Sequence, residues 1–320
     1  MTKKKTIDYN YASKVTNYFL THNNFLIVTH KNPDGDTMGS AAALCSALRR
    51  SGKTAFLYPN KQITEKLRKY TAAFFAAENY TASSIISVDV ASPDMIAEGF
   101  TGTIDCCIDH HPTNTGLGQI NLICPAKSAC GEIVLTIIEN MRGGVTKEEA
   151  DLLYIAISTD TGCFQYANTN ASTHTAVSKL LRYGADNAAL NLTFFRKVRK
   201  ARILLEGKIF SSLFFHRGGS VVVATITKSM MQDCGATEED CDDLASLPGR
   251  IEGTAVGITI REKENGSSKV SVRTSAEVSA IEICSYFGGG GHSMAAGCTI
   301  EANPQRAREL ILAVVDEVCS

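Results

Sequence analysis

Apolar residues in this chain follow two rhythms that take turns along its first half. Apolar runs occur at "FLIVTH" (25–30), "IISVDV" (85–90), "CCIDHH" (106–111) and "DLLYIAISTDTG" (151–162), and segments with helical spacing at "AAALCSALRRSG" (41–52) and "GEIVLTIIENM" (131–141). In the second of these, Ile133, Val134, Ile137, Ile138 and Met141 make a stripe that only a helix buries on one side. A further helix, "HTAVSKLLRYG", is predicted to stop at Gly184, where a left-handed cap suits glycine. Strands alternating with helices predict a parallel sheet covered on both faces.

The pattern loosens between Ala185 and Arg202, where "FFRKVRKAR" precedes a helical stripe at Ile203, Leu204, Ile209, Phe210, Leu213 and Phe214. Its bases read as the solvated face of an amphipathic interdomain connection. The expected domains are 1–186 and 215–320, joined by a linker and connecting helix at 187–214. Beyond the linker, "SVVVATIT" (220–227), "TAVGITIRE" (254–262) and "KVSVRTS" (269–275) read as antiparallel strands, the last two joined by a hairpin at Asn265-Gly266. "AEVSAIEICSYF" and "PQRARELILAVVDEV" read as helices. The expected fold class is therefore α/β, with a parallel-sheet N-terminal domain and a smaller α+β C-terminal domain.

With 320 residues, 44% of them hydrophobic, the chain can build two cores of ordinary size. Its 32 basic and 33 acidic residues leave a net charge of -1, so no global field recruits long nucleic acid or an anionic membrane. Any anionic ligand must be held by a local site. Lys3, Lys4 and Lys5 are followed by no apolar leader, and no apolar stretch is long enough to span a bilayer, so a cytoplasmic protein is expected. The 11 cysteines form no C-x-x-C pair and fall partly within helical patterns, at Cys45, Cys130 and Cys284, as reduced apolar residues would. The acidic "ATEEDCDD" (236–243) lacks the ligand spacing of a calcium loop and reads as surface.

The segment "THKNPDGDTMGS" (29–40) places His30, Asp34 and Asp36 in one turn after an apolar run, with Gly35 expected to let the backbone bend so that both carboxylates face one point. Three other places repeat the arrangement of an acid or imidazole just past an apolar run: Asp89, the triplet Asp109-His110-His111, and Asp160. Strand ends converge at one edge of a parallel sheet, which would gather all of them. Two ionised carboxylates about 5 Å apart repel by roughly 3 kcal/mol at an effective dielectric near 20, so such a cluster requires cations. Carboxylates and imidazoles without thiolate suit Mn²⁺, with Mg²⁺ or Co²⁺ able to take its place. The number of ligands exceeds the need of one ion, and two bridged ions would clamp a phosphoryl group and activate water. Metal-assisted phosphoester hydrolysis is the chemistry expected.

The motifs His30-x-x-x-Asp34-x-Asp36, Asp89 in "SVDVASP", Asp109-His110-His111 and Asp160 in "STDTG", in that order, resemble the DHH phosphoesterase superfamily. The resemblance implies that His30, Asp34 and Asp89 hold one ion and Asp36, Asp89, His110 and Asp160 the other. It leaves His111 for phosphate contact or protonation of the leaving group, with Asp109 orienting its neighbours.

In the second half, "FGGGGHSMAAG" (287–297) resembles the glycine-rich motif of the DHH-associated C-terminal domain, which implies substrate binding by Gly289, Gly290, Gly291 and His292. An ordered loop whose N–H groups close on an anion is expected there. Arg273, at a strand end, can take a phosphate in two-pronged fashion or stand exposed to solvent, and the resemblance implies the former. With the active site in the cleft between domains, this grip would select short substrates. The resemblance is to two-domain members that degrade nanoRNA, cleave linear di-adenylate or di-guanylate dinucleotides, or remove the 3′-phosphate of 3′-phosphoadenosine 5′-phosphate. Expected partners are thus short oligonucleotides and nucleotides, with no long duplex and no membrane, and a homodimer is left open. A manganese-dependent inorganic pyrophosphatase and a non-catalytic nucleotide sensor are the alternatives.

Overall fold

The computed structural model describes residues 9–141, 144–241, 244–275 and 277–319, with side chains from Ala12 onward. Lys3 to Lys5 and Asp242–Asp243 of the acidic segment lie outside the described residues. The chain divides into two compact units, Met1–Lys197 and Val198–Ser320. No helix among the described residues is long and apolar enough to cross a membrane.

The first unit runs α1 (Tyr9–Thr21), β1 (Phe25–Val28), α2 (Gly35–Arg50), β2 (Ala55–Leu57), α3 (Glu65–Thr71), β3 (Ser84–Val88), β4 (Cys106–Asp109), β5 (Ile120–Ile123), α4 (Cys130–Asn140), α5 (Lys147–Asp160), α6 (Ala171–Arg182) and α7 (Asn187–Asn191). Its five strands are all parallel, in the order β2-β1-β3-β4-β5. The order reverses between β1 and β3, and a ligand crevice forms outside the strand ends at such a switch point. Ile27, Ile86, Val88 and Ile108 are fully buried in the sheet, and Leu44, Ile133, Ile137 and Ile157 are buried on its helices. Helix α6 does end before Gly184, whose φ is 94.

One element departs from expectation at the site. Asp160 does not follow a strand: the run before it is the buried face of α5, opened by a Thr146–Glu149 capping box. Leu152, Leu153, Ala156 and Ile157 recur at helical spacing, so the period of 3.6 prevails over the length of the apolar run.

The second unit runs α8 (Lys200–Ser211), β6 (Phe214–His216), β7 (Val221–Ile226), α9 (Lys228–Cys234), β8 (Val256–Glu262), β9 (Ser268–Thr274), α10 (Ala280–Ser285), β10 (Gly290–His292), β11 (Ala295–Ile300) and α11 (Pro304–Val318). Its sheet, in the order β10-β11-β9-β8-β7-β6, is mixed rather than antiparallel throughout, because β7 and β8 pair in parallel. A parallel pair needs a crossover, and the segment containing α9 supplies it. The β8–β9 hairpin turns at Asn265-Gly266 as expected, with Gly266 at φ 82. Ile283, Ile311 and Val315 from α10 and α11 pack on one face of the sheet, while Leu205 and Ile209 from α8 pack with Ala224 and Ile226 elsewhere.

Candidate metal centre

The two strands at the switch point open the site. The chain leaves β1 into His30 and leaves β3 into Asp89, which adopts a left-handed φ of 60 while its N–H still bonds Ile108 O at 2.9 Å. That conformation costs a residue with a Cβ about 1–3 kcal/mol and is typical of strained functional positions. The Asp89 carboxylate stands between two groups of ligand-type atoms: Oδ2 lies 3.8 Å from His30 Nε2, and Oδ1 lies 3.5 Å from His110 Nε2.

Helix ends deliver the other acids. Asp34 is the N-cap of α2, accepting the Thr37 N–H at 3.0 Å, and its Oδ1 is 4.0 Å from His30 Nε2. Asp36, in the first turn of α2, is buried and accepts the Cys130 N–H at 2.7 Å, the Gly131 N–H at 3.0 Å and the Ser40 hydroxyl at 3.0 Å. The unpaired N–H groups at the start of α4 thus hold it. Asp160, the last residue of α5, brings Oδ2 within 3.8 Å of His110 Nε2, which is also 3.8 Å from Asp36 Oδ2. Ligand-type atoms of His30, Asp34 and Asp89 lie within 4.8 Å of one another, as do those of Asp36, His110 and Asp160.

Asp109 ends β4, and its buried carboxylate organises the two histidines after it. Oδ1 accepts the His110 N–H at 2.8 Å, the His111 N–H at 3.3 Å and His111 Nδ1 at 2.8 Å, and Oδ2 accepts the Asn114 amide at 2.6 Å. His110 Nδ1 faces the Lys127 carbonyl at 3.2 Å, an acceptor only, so Nδ1 carries a proton and Nε2 is the nitrogen turned to the carboxylates.

Gly35 works differently from the expected bend. It is the first residue of α2 without a positive φ, and a Cβ there would lie 2.6 Å from Thr159 Cγ2. Its bare backbone lets α2 approach the end of α5, and so Asp160.

The electrostatics call for positive charge. Burial first, then Asp89, Asp160 and Asp34, raise Asp36 well above the usual carboxylate range. Burial and Asp34 raise Asp89 against the pull of His110. Asp160 is pushed up to about 6, chiefly by burial, with His110 pulling it down and Asp89 and Asp34 pushing it up. Burial would raise Asp109, but hydrogen bonds from His111 and Asn114 outweigh it and hold the group below its usual value. The hydrogen bond to Asp109 in turn raises His111 to about 9.

Among the described residues, the ion-pair partners of Asp34, Asp36, Asp89 and Asp160 are histidines alone. Thr37 Oγ1 lies 2.5 Å from His30 Nε2, 2.7 Å from Asp89 Oδ2 and 3.0 Å from Asp34 Oδ1, yet its one proton serves one acceptor. The composition of this donor set fits a hard-to-borderline divalent ion.

Thr37 and Cys130 join the centre without having been expected from the sequence. The Cys130 thiol is 3.6 Å from Asp89 Oδ1. Burial and the surrounding acids push its pKa well above the usual range, which disfavours the thiolate. Its position at the start of a predicted helix is the one signal that the sequence carries.

In the second unit the glycine run is not a free loop. Gly289 N–H bonds Cys284 O at 3.0 Å, and Gly290–His292 form β10, paired with β11. Gly291, at φ 143, would drive a Cβ to 2.6 Å from Ala296 Cα, so close strand approach explains the glycine. Both His292 and Arg273 are register partners of Ala295. Residues in one such row point to the same face, so the imidazole and guanidinium flank a methyl group from strands about 10 Å apart.

A switch-point sheet edged with aspartate and histidine, followed by a mixed-sheet unit, defines a two-domain phosphoesterase, and the chain belongs to the DHH family. The model of the DHH family N-terminal domain matches residues 24–157 and that of the DHHA1 domain matches residues 218–320. The chain is 34% identical over 306 residues to the bifunctional oligoribonuclease and PAP phosphatase NrnA of Thermus thermophilus, covering 91% of this chain and 89% of that one. The protein of the same name from Bacillus subtilis is 25% identical over 312 residues, covering 93% and 95%. An exopolyphosphatase-related protein from Bacteroides fragilis shares the fold at a TM-score of 0.87 and 22% identity, covering 99% of this chain and 98% of that one. RecJ from Thermus thermophilus, solved in complex with Mn²⁺, aligns at a TM-score of 0.53 and 15% identity over 98% of this chain and 55% of its own. The expected family, fold class and phosphoric ester hydrolysis stand.

Proposed function

We propose that the protein is a two-metal phosphodiesterase that releases 5′-mononucleotides from short oligonucleotides and removes the 3′-phosphate of 3′-phosphoadenosine 5′-phosphate, with Mn²⁺ as the working ion. The observation that carries this reading is the Asp89 carboxylate, with one oxygen turned to His30 and the other to His110. His30, Asp34 and Asp89 hold one ion, and Asp36, Asp89, His110 and Asp160 the other. When bound, the ions supply Lewis acidity and a nucleophilic water near neutral pH. Asp109 accepts a hydrogen bond from the Nδ1–H of His111 and favours the cationic ring, so its Nε2–H can contact the phosphate or protonate the departing oxygen. The row of His292 and Arg273 grips the nucleotide end, with Gly289, Gly290 and Gly291 admitting it closely.

The relatives named as oligoribonucleases and PAP phosphatases support this substrate class. The test offers the purified protein with Mn²⁺ a dinucleotide, 3′-phosphoadenosine 5′-phosphate, a long oligonucleotide and pyrophosphate in parallel, with products resolved by chromatography. Turnover of the first two is expected. Predominant pyrophosphate turnover would overturn the assignment.

A further inference from the structure

Glu132, in the first turn of α4, is a buried carboxylate that the chemistry above does not use. All its acceptor capacity is taken. Oε1 accepts the Ser128 N–H at 3.1 Å and the Thr173 hydroxyl at 3.0 Å, and Oε2 accepts Lys127 Nζ at 2.8 Å and the Ser172 hydroxyl at 2.8 Å. It therefore pins the Lys127–Ser128 backbone between the start of α4 and the start of α6.

That short stretch of backbone reaches the metal centre twice. The Lys127 carbonyl fixes the His110 ring through Nδ1 at 3.2 Å. Asn168 donates to the Ser128 carbonyl at 3.2 Å and to the Asp160 carbonyl at 3.1 Å, while the Ser128 hydroxyl donates to the Asn168 carbonyl at 2.6 Å. His110 and Asp160 come from different elements, a strand end and a helix end, yet both are tethered to the segment that Glu132 holds.

We propose that Glu132 is a positioning residue for one half of the centre, setting His110 through Lys127 and Asp160 through Asn168. The inference rests on the two-ion reading. It predicts that Glu132 governs the ion shared by Asp36, His110 and Asp160 and leaves the ion at His30 and Asp34 untouched. A glutamine at this position would turn an amide N–H₂ toward either the Ser128 N–H or the Lys127 ammonium, neither of which can accept, so a tether slackens without any ligand being removed.

The test is a Mn²⁺ titration of the full chain, read by the paramagnetic resonance of free Mn²⁺, alongside the thermal midpoint. Wild type should bind two ions. Glu132→Gln should weaken one of them roughly ten- to hundredfold, the usual cost of losing a group that orients a ligand, and leave the other as in wild type. Asn168→Ala, at an exposed position, should weaken the same ion by a smaller factor, and it carries the test if Glu132→Gln does not fold. Glu149→Gln is the control. This carboxylate is equally buried and pairs with Arg50 at 3.1 Å at the opposite end of α5, so it should lower the midpoint with both affinities unchanged. Wild-type affinity for both ions in Glu132→Gln, or in Asn168→Ala if that variant alone folds, overturns the inference. So does an equal loss in Glu149→Gln. A wild type that takes up fewer than two ions fails the two-ion reading itself.

Discussion

Replacing Gly35 by alanine should damage hydrolysis far more than stability. The added Cβ would lie 2.6 Å from Thr159 Cγ2 and 2.8 Å from Thr159 Cβ, and closer still to Thr159 Oγ1. Rotating Thr159 moves Oγ1 and Cγ2 but not Cβ, so the end of α5 has to retreat, by about 1 Å if ordinary contact is to be restored. Overpacking of this kind costs about 1–3 kcal/mol, partly offset by the gain of up to about 1 kcal/mol from replacing a helical glycine with alanine. Asp160 follows Thr159 directly, and misplacing a reacting group by about 1 Å can cost roughly hundredfold in rate. Dinucleotide hydrolysis with saturating Mn²⁺, measured with the thermal midpoint, should therefore show kcat down by one to two orders of magnitude and the midpoint down by only a few degrees. Adding Thr159→Ala removes Oγ1 and Cγ2 and should restore part of kcat. A Gly35→Ala enzyme with wild-type kcat, or a double variant no better than the single, would show that the contact between α2 and α5 does not position Asp160.

Three other outcomes are expected. Asp89→Ala should abolish hydrolysis and uptake of two Mn²⁺ ions while circular dichroism stays native; near-normal turnover would remove Asp89 from its place between the ions. Arg273→Ala should raise KM for dinucleotides with a smaller change in kcat, and Arg273→Lys should rescue it poorly because an ammonium cannot make the two-pronged contact; an unchanged KM would take Arg273 out of the substrate grip. In the presence of a chelator, stability should fall as pH rises. Asp160, raised from 3.8 to about 6, binds more protons folded than unfolded between those values, and stability is lost across that window. His111, raised from 6.5 to about 9, contributes stability that is complete below 6.5 and lost as pH passes through 9. Scanning calorimetry across pH 6.5 to 9 should show a falling midpoint that excess Mn²⁺ largely removes, and a rising midpoint would contradict the assignment.

Every strand read from the sequence is flanked by others on both sides. β1, β3 and β4 stand inside the first sheet, and β7, β8 and β9 inside the second. Interior strands of a parallel sheet are buried on both faces and leave continuous apolar runs. The edges are not legible: β2 and β5 bound one sheet, Phe214 of β6 falls within a helical stripe, and the glycines of β10 read as a loop. Edge strands are short and face solvent or a bare backbone, as "GGH" in β10 does, so their pattern carries little signal. The parallel pairing of β7 with β8 is equally hidden, because apolar alternation says nothing of strand direction.

The same distinction separates what is legible at the metal centre from what is not. Aspartate and histidine after apolar runs announce themselves, since their chemistry resides in the side chain and their convergence follows from the sheet. The accuracy of their convergence comes from side chains that are missing. Along one face of α5, Gly131 meets Ala156, Gly39 meets Leu152 and Ala156, and Gly35 meets Thr159. A Cβ at Gly131 would come within 2.8 Å of Ala156 Cβ, and one at Gly39 within 3.1 Å of the same atom. Two helices thus grip α5 at close range over the stretch that ends in Asp160, and the same two supply Asp36 and the N–H groups that hold it. A glycine in a helix reads as a weak point when taken alone. Here each marks a place where one backbone must lie nearly against another, and the position of the acids depends on all three.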